Sequence, residues 1–385
     1  MLLNFNFSNL KSFKNKVEFS MEPLSNNGTT ENAIETHYKK SPYVYRTSAI
    51  FGANASGKSN FIHAMNYLKF LVCSSYLKRL NESMEIPTYK LGDENENSLF
   101  EVEFIKNNNF YKYTVELNES GIIKEEAYYT ELTEDKREKC LFKRTPSEFN
   151  SPYGIDKEIA KQTISSRSLI SELINNRNCK DRFILDIYQW FSDDVEVIFN
   201  TERPDLNKDY SHNDIDCKGK TEFLRKADIP IERLIANREG LFAIHKNEKG
   251  QDIAFSFLDE ESEGTIALLV LSDVIMPILE GGKILFIDEL DNSLHPHLVK
   301  YLVNLFNNPD TNPKGAQIIF TSHAHYLMDG DTLTRDQIWF VAKENGYSSD
   351  LYSLSDFKEI KRKKGAFYNE YMYGVFGAIP NIHED

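Results

Sequence analysis

Two stretches far apart in the chain have the residue types and spacing that phosphate chemistry requires. Gly52-Ala53-Asn54-Ala55-Ser56-Gly57-Lys58-Ser59 fits the pattern G-x-x-x-x-G-K-[ST]. Glycines in such a loop let successive backbone N–H groups face one point, and a helix opening near the lysine adds the positive end of its dipole. Lys58 is then placed to reach the β and γ phosphates of a nucleotide, and Ser59 offers its hydroxyl to Mg²⁺. The second stretch runs from Lys283 to Pro296. Its apolar residues Ile284, Leu285, Phe286 and Ile287 read as a strand buried on both faces, with Asp288 and Glu289 where it leaves the sheet. Open α/β sheets bind ligands at the carboxyl ends of their strands. An aspartate there holds Mg²⁺ through water, and Glu289 can polarise a water aimed at a bound phosphate chain.

Positioning these groups takes particular elements in a particular order. Tyr43 to Phe51 predicts the strand that enters the glycine loop. Asn60 to Val72 predicts the helix that leaves it, with Phe61, Ala64, Met65, Leu68 and Leu71 at helical spacing. Upstream, Leu2 to Phe7 and Lys14 to Phe19 predict two strands around a turn, and the polar residues Ser25 to Lys40 read as a loop. Downstream, Leu99 to Ile105, Phe110 to Leu117 and Ile122 to Thr130 read as an antiparallel meander. Ser151 to Lys226 looks mostly helical, and its apolar residues Leu169, Leu173, Ile184, Ile187, Trp190 and Phe191 are expected to be core. Strand patterns return at Leu241 to His245 and Ile253 to Leu258. Glu261-Ser262-Glu263-Gly264-Thr265 then opens a helical run, Ile266 to Leu279, as a capped, anion-compatible helix start. Gln317 to His323 is a second buried strand, and His323 sits at its tip, where a side chain can report the loss of a γ phosphate.

Composition bounds the setting. A formal charge of −14 disfavours a surface that is basic all over, so nucleic-acid contact would need a local patch. The cluster Lys358, Lys361, Arg362, Lys363 and Lys364 is one candidate, although such runs are more often solvated faces. The four cysteines, Cys73, Cys140, Cys179 and Cys217, lack C-x-x-C spacing, which points to buried free thiols in a reducing cytoplasm. The pairs His295/His297 and His323/His325 have zinc-compatible spacing, but no third ligand class accompanies them. No apolar run is expected to span a membrane.

In sequence order these pieces resemble the ABC-type ATPase head of SMC and DNA-repair proteins. More closely, the chain resembles bacterial AAA family ATPases of anti-phage and abortive-infection operons, such as those of PARIS, Septu and retron systems. The resemblance rests on Asn54 to Ser59 (Walker A), Glu261 to Thr265 (signature), Ile284 to Glu289 (Walker B), Asp291 to Pro296 (D-loop) and Ser322-His323 (switch histidine). Arg335 to Phe340 and Gly374 to Pro380 are also similar to that group's C-terminal segments. It implies an α/β fold: an SMC-head-like P-loop NTPase with an antiparallel β lobe and a helical insertion. Residues 1–150 and 231–385 would form the two parts of the head, and 151–230 the insertion.

The resemblance further implies ATP and Mg²⁺ as ligands. Lys58, Glu289 and His323 would be catalytic, and Ser59 and Asp288 would hold the metal. Asn54, Ala55, Ser56, Gly57, Lys58, Ser59 and Asn60 would cradle the phosphates of one chain's nucleotide, Asp291 would also bind the nucleotide, and Ser262 and Gly264 of the other chain would complete the site in a head-to-tail homodimer or higher oligomer. The signature reads Ser262-Glu263-Gly264 where the transporter form has two glycines, and no glutamine can be placed as the Q-loop residue. About sixty residues follow His323, too few for an appended nuclease domain, so a separate nuclease or toxin is expected as the effector. DNA or a phage component is a further partner consistent with the family. The alternative reading is an SMC-like maintenance ATPase that binds DNA.

Overall fold

The computed structural model describes residues 1–24, 32–79, 82, 84–92, 96–132, 137–152, 155, 157–176, 179–199, 215–344, 347–357 and 366–380, which leaves the basic cluster from Lys358 to Lys364 outside the described residues. At its centre is a six-stranded sheet. The order is Val195–Phe199, Ile284–Asp288, Gln317–Thr321, Thr47–Phe51, Ile338–Glu344 and Ser348–Ser353, all neighbours parallel except the last pair, which form a hairpin. The alternation of strand side chains divides the apolar run of the second strand between two cores. Ile284 and Phe286 pack on the side of the helix Lys58–Ser74, and Leu285 and Ile287 on the side of the helices Glu263–Gly281 and Pro296–Asn307.

A seven-stranded antiparallel sheet covers the first of these cores. It runs Phe149–Asn150, Lys139–Arg144, Gly121–Glu131, Asn109–Asn118, Ser98–Lys106, Leu2–Ser8 and Val17–Ser20. Phe5, Phe7 and Phe19 all meet Phe61 of the helix Lys58–Ser74, so the N-terminal strands seat the helix that follows the glycine loop. Gln317 pins the two sheets together. Its Oε1 accepts from Leu2 N at 2.6 Å, and its Nε2 donates to the carbonyls of Leu2 and Tyr45.

Several expected elements take a different form. Within the stretch read as a loop, Ala33–Tyr38 is a strand paired with Ser41–Tyr45; its buried positions are Ile34 and Thr36, and its polar residues Glu35 and His37 face outward. The expected strand Tyr43 to Phe51 is divided at Arg46, whose guanidinium bonds the Ala33 carbonyl, so its two halves serve different sheets. Phe257 and Leu258 begin a short helix rather than ending a strand. Between 151 and 230 lie the helices Lys157–Gln162, Leu169–Asn175, Arg182–Gln189 and Lys218–Lys226, but Val195–Phe199 from the same stretch joins the central sheet. Trp190 stacks on Phe104 at 4.1 Å, which places the apolar residues of this region against the antiparallel sheet.

The helix Glu263–Gly281 is, among the described residues, long and apolar enough to cross a membrane, contrary to the expectation of no such run. It is a core helix here: Leu268, Leu269, Leu271, Ile275 and Ile278 are buried against the central sheet. The four cysteines form no disulfide among the described residues and are half-buried rather than fully buried. The segment Gly374 to Pro380 packs back on the body through Phe376 and Ala378, and Tyr352 Oη donates to the Phe376 carbonyl at 2.7 Å.

Candidate active site

The strand Thr47–Phe51 delivers Gly52 to the carboxyl edge of the sheet, flanked by the strands that end at Thr321 and at Glu344. Gly52 has a φ of 154°, and a Cβ there would lie 2.3 Å from the Val341 carbonyl oxygen. Gly57 has a φ of 119°, and its Cβ would meet the Ser349 and Ser12 hydroxyl oxygens at 2.4 and 2.6 Å. Both positions therefore demand glycine on steric and conformational grounds. Gly57 is also the N-cap of the helix Lys58–Ser74 and brings no capping side chain, so the positive helix end is directed at the loop's concavity.

Lys58 is 6 % exposed, and its Nζ donates to the carbonyls of Gly52 and Ala53 at 2.9 and 3.1 Å. Burial lowers its pKa, and the carboxylates of Asp288, Glu289 and Asp291 oppose that shift. Ser56 is buried and its Oγ has no hydrogen-bond partner. From the opposite wall, Ser349 Oγ donates to the Ser56 carbonyl and accepts from the Ser12 hydroxyl at 2.8 Å, and Asn60 Nδ2 donates to Ser12 Oγ at 2.8 Å. Ser12 and Ser349 thus brace the loop from both sheets.

The acidic side is organised by Thr321. This fully buried residue donates from Oγ1 to Asp288 Oδ1 at 2.5 Å and accepts at the same oxygen from Glu289 N at 2.8 Å. Glu289 has a φ of 53°, a left-handed conformation that turns its side chain out of the strand direction at the sheet edge. Asp291 accepts from His323 N with both carboxylate oxygens, at 3.1 and 3.2 Å, so the segment after Asp288 and the tip of the neighbouring strand are tied together. Burial, and then the Lys58 cation, lower the His323 pKa below its ordinary 6.5, leaving the ring neutral at pH 7.

A cavity of about 520 Å³ joins these parts. Asn54, Ala55, Ser56, Gly57, Lys58, Ser59 and Asn60 line it together with Ser12, Glu289, His323 and Lys343. Asp288 and Asp291 stand behind this lining, bonded to Thr321 and to His323 N. Ser262 and Gly264 are not brought to it. Ser262 caps the helix Glu263–Gly281, accepting from Thr265 N at 3.1 Å, and Gly264 faces the Ser293 carbonyl so closely that a Cβ would lie 3.1 Å from it. The paired histidines have structural partners: His295 Nδ1 accepts from His297 N at a helix start, and His325 lies 4.6 Å from the Tyr371 ring.

Ser12, Thr321, Lys343 and Ser349 are the site residues that motif spacing missed. Thr321 could have been found, because it lies two residues before His323 on the same strand tip. Ser12, Lys343 and Ser349 carry no local signal: strand pairing within the central sheet brings Lys343 and Ser349 to the loop, and the packing of the antiparallel sheet brings Ser12.

The residues present suit a nucleotide with Mg²⁺. Two glycines lack the Cβ that would fill the cradle, a buried Ser56 hydroxyl awaits a partner, and the oxygen donors of Ser59 and Asp288 match a hard cation. The sheet order, with the phosphate-loop strand and the Asp288-Glu289 strand on either side of the His323 strand and an antiparallel sheet over one face, gives the α/β fold of an ABC-type P-loop head. The chain belongs to the family described as "AAA domain, putative AbiEii toxin, Type IV TA system", whose model matches residues 48–329. A comparison with curated proteins finds no match. Among solved structures, the SMC head domain from Thermotoga maritima is similar at 16% identity over 91% of this chain and 98% of that one, with a TM-score of 0.44. An SMC head bound to the C-winged helix domain of ScpA is also 16% identical, over 92% and 99%, with a TM-score of 0.47. The recombination mediator RecF is 12% identical over 92% and 98%, with a TM-score of 0.26.

Proposed function

We propose that this protein binds ATP with Mg²⁺, hydrolyses it in a head-to-tail pair of chains, and acts as a cytoplasmic switch of a bacterial anti-phage system that controls a separate nuclease or toxin. One observation carries the reading. Glu289 and His323 share a cavity with the phosphate loop, whereas Ser262 and Gly264 stand outside it beside Ser293. A single chain therefore holds the groups for binding and water activation but not the second wall, which the signature of another copy would supply. The defence setting is supported by the family description, which names a putative toxin and a type IV toxin–antitoxin system.

In this reading the loop amides, Lys58 and Ser56 bind the phosphate chain. Ser59 and Asp288 would hold Mg²⁺, which supplies charge neutralisation at the phosphates. Glu289 takes a proton from the attacking water as the oxygen bonds to the γ phosphorus and the bond to the bridging oxygen breaks, leaving ADP and phosphate. His323, neutral and held near Asp291, is placed to hydrogen-bond the terminal phosphate and to lose that contact after cleavage.

The test is the solution mass of Glu289→Gln protein with and without ATP–Mg²⁺, beside its hydrolysis rate. A nucleotide-dependent shift from monomer to dimer with hydrolysis abolished is expected. Normal turnover by this variant and by Lys58→Ala would overturn the site. For the setting, cells carrying the intact operon should resist phage and lose resistance with Lys58→Ala; equal resistance in both would refute control by nucleotide.

A further inference from the structure

Ser262 and Gly264 lie outside the nucleotide cavity, and their place is fixed from two sides. Glu261 joins the short helix Phe257–Glu260 to the helix Glu263–Gly281. Glu261 and Ser262 are both extended, with φ and ψ of −86° and 158°, and of −67° and 151°, so the joint is two residues of non-helical backbone. On one side Ser262 Oγ caps the helix through Thr265 N, and Gly264 meets the Ser293 carbonyl. On the other, Glu261 Oε1 accepts from His245 Nε2 at 2.6 Å; a carboxylate oxygen only accepts, so the ring nitrogen is the donor. The Glu261 side chain is 12 % exposed, so little water reaches it to replace that donor. The imidazole is itself held. His245 follows Leu241 and Ala243, both in the second core, along the strand Gly240–Lys246, which is third in an antiparallel sheet after Ile215–Asp216 and Arg233–Asn237 and before Asp252–Ser256. The Pro230 carbonyl lies 3.2 Å from Nδ1 and the Phe255 ring stands edge-on at 5.0 Å. Glu232 N donates to the Ile244 carbonyl at 2.8 Å and fastens the chain after Pro230 beside the ring.

We propose that His245 is a positioning residue for the nucleotide-bound pair: its bond to Glu261 sets the place at which Ser262 and Gly264 meet the nucleotide of a second chain. The inference rests on the head-to-tail reading above. The helix cap orients Ser262 relative to its own helix, whereas the His245 bond orients the start of that helix relative to the four-stranded sheet. Without a donor at Nε2 the Glu261 carboxylate recovers hydration by turning outward, and the extended backbone of 261–262 turns with it. The phosphate loop lines a separate cavity, so nucleotide binding by a single chain does not pass through this bond. The loss therefore falls on pairing, and through pairing on turnover.

The test takes full-length Glu289→Gln protein as parent. ATP–Mg²⁺-driven dimerisation is read by sedimentation, and single-chain affinity with a fluorescent ATP analogue at protein concentrations where the chain is monomeric. His245→Phe keeps a ring beside Phe255 and removes the donor, whereas His245→Gln gives up the ring and keeps an N–H that can reach Glu261. The phenylalanine variant should weaken dimerisation by about tenfold, and the glutamine variant should stay within about threefold of the parent, with single-chain ATP affinity the same in all three. Adding Glu261→Ala to His245→Phe should cost no further dimerisation, since both act through one bond. Should the phenylalanine variant fail to fold, Glu261→Ala alone, which leaves the ring in place, carries the same expected loss. A role for the ring in packing alone predicts the reverse order, with glutamine the worse variant. That order, parent-like dimerisation without the donor, or an equal fall in single-chain ATP affinity would each overturn the inference while the parent still pairs. A parent that stays monomeric with ATP bound would overturn the head-to-tail reading and this inference with it.

Discussion

Thr321→Val removes one oxygen and keeps the shape of a fully buried side chain. That oxygen donates to the Asp288 carboxylate at 2.5 Å and accepts from Glu289 N at 2.8 Å. Losing a hydrogen bond to a charged acceptor costs about 1.5–3 kcal/mol, and an orphaned Glu289 N–H adds about 1–3 kcal/mol where water cannot replace the hydroxyl. The added methyl returns about 1 kcal/mol through apolar burial. A net destabilisation of about 2–4 kcal/mol is expected, measured by urea unfolding at unchanged m-value. The functional effect should be sharper, because this bond holds Glu289 at its left-handed φ of 53° and so aims the carboxylate. With the aim relaxed, kcat for ATP hydrolysis should fall by about tenfold to a hundredfold while KM changes little. Thr321→Ser is the control: it keeps the hydroxyl, loses a methyl worth about 1 kcal/mol, and should retain most of the turnover. If the valine variant unfolds and turns over like the wild type, Thr321 does not organise the acidic side of the site.

Four further outcomes are expected. Gly57→Ala should still fold but lose ATP affinity by more than about tenfold in calorimetric titration, since its Cβ meets Ser349 and Ser12 at a φ of 119°. The His323 ring should titrate below 6.5 by NMR, for burial and the Lys58 cation both disfavour the imidazolium, and Lys58→Ala should move it upward. Because the folded pKa lies below the unfolded one, the unfolded chain takes up more protons in the acid range, so His323 costs stability as pH falls through the ordinary imidazole range and nothing above it. Glu125→Ala should cost about 3–5 kcal/mol in thermal unfolding, because this fully buried carboxylate is paired with Arg144 at 2.9 Å and bonded to Tyr113 Oη and Leu169 N, and replacing both Glu125 and Arg144 by Leu and Met should cost less. Lys343→Ala, at an exposed lysine on the cavity rim, should weaken ATP binding severalfold at most.

The chemistry of the phosphate loop was legible because it is local. Eight consecutive residues contain the two glycines, the lysine and the serine, and both glycine positions prove to be sites where any side chain collides. The Asp288-Glu289 pair was legible for the same reason: an apolar run buried on both faces can end only at a sheet edge, so its polar tip is exposed to ligand. Elements whose pattern is polar or shared were not legible. Ala33–Tyr38 hides a period of two behind Glu35 and His37, and the strand entering the loop appeared continuous because Ser41–Tyr45 and Thr47–Phe51 are both apolar enough for strands. Val195–Phe199 was masked by the helices before it, yet parallel pairing with Ile284–Asp288 makes it the edge of the central sheet.

By itself the sequence determined the local chemistry: which loop has the glycines and lysine of a phosphate cradle, which strand ends in carboxylates, and which tip carries the histidine, since each depends on neighbours in the chain. Only the tertiary structure decided how those pieces meet. Parallel pairing sets the His323 strand between the other two, Thr321 ties Asp288 to Glu289, and Ser12 and Ser349, 337 positions apart, brace one loop. The same packing left Ser262 and Gly264 outside the cavity that their motif is expected to complete. Such outcomes rest on long-range contacts that no local spacing encodes, because the partners are chosen by strand pairing within the central sheet and by how the second sheet packs on it.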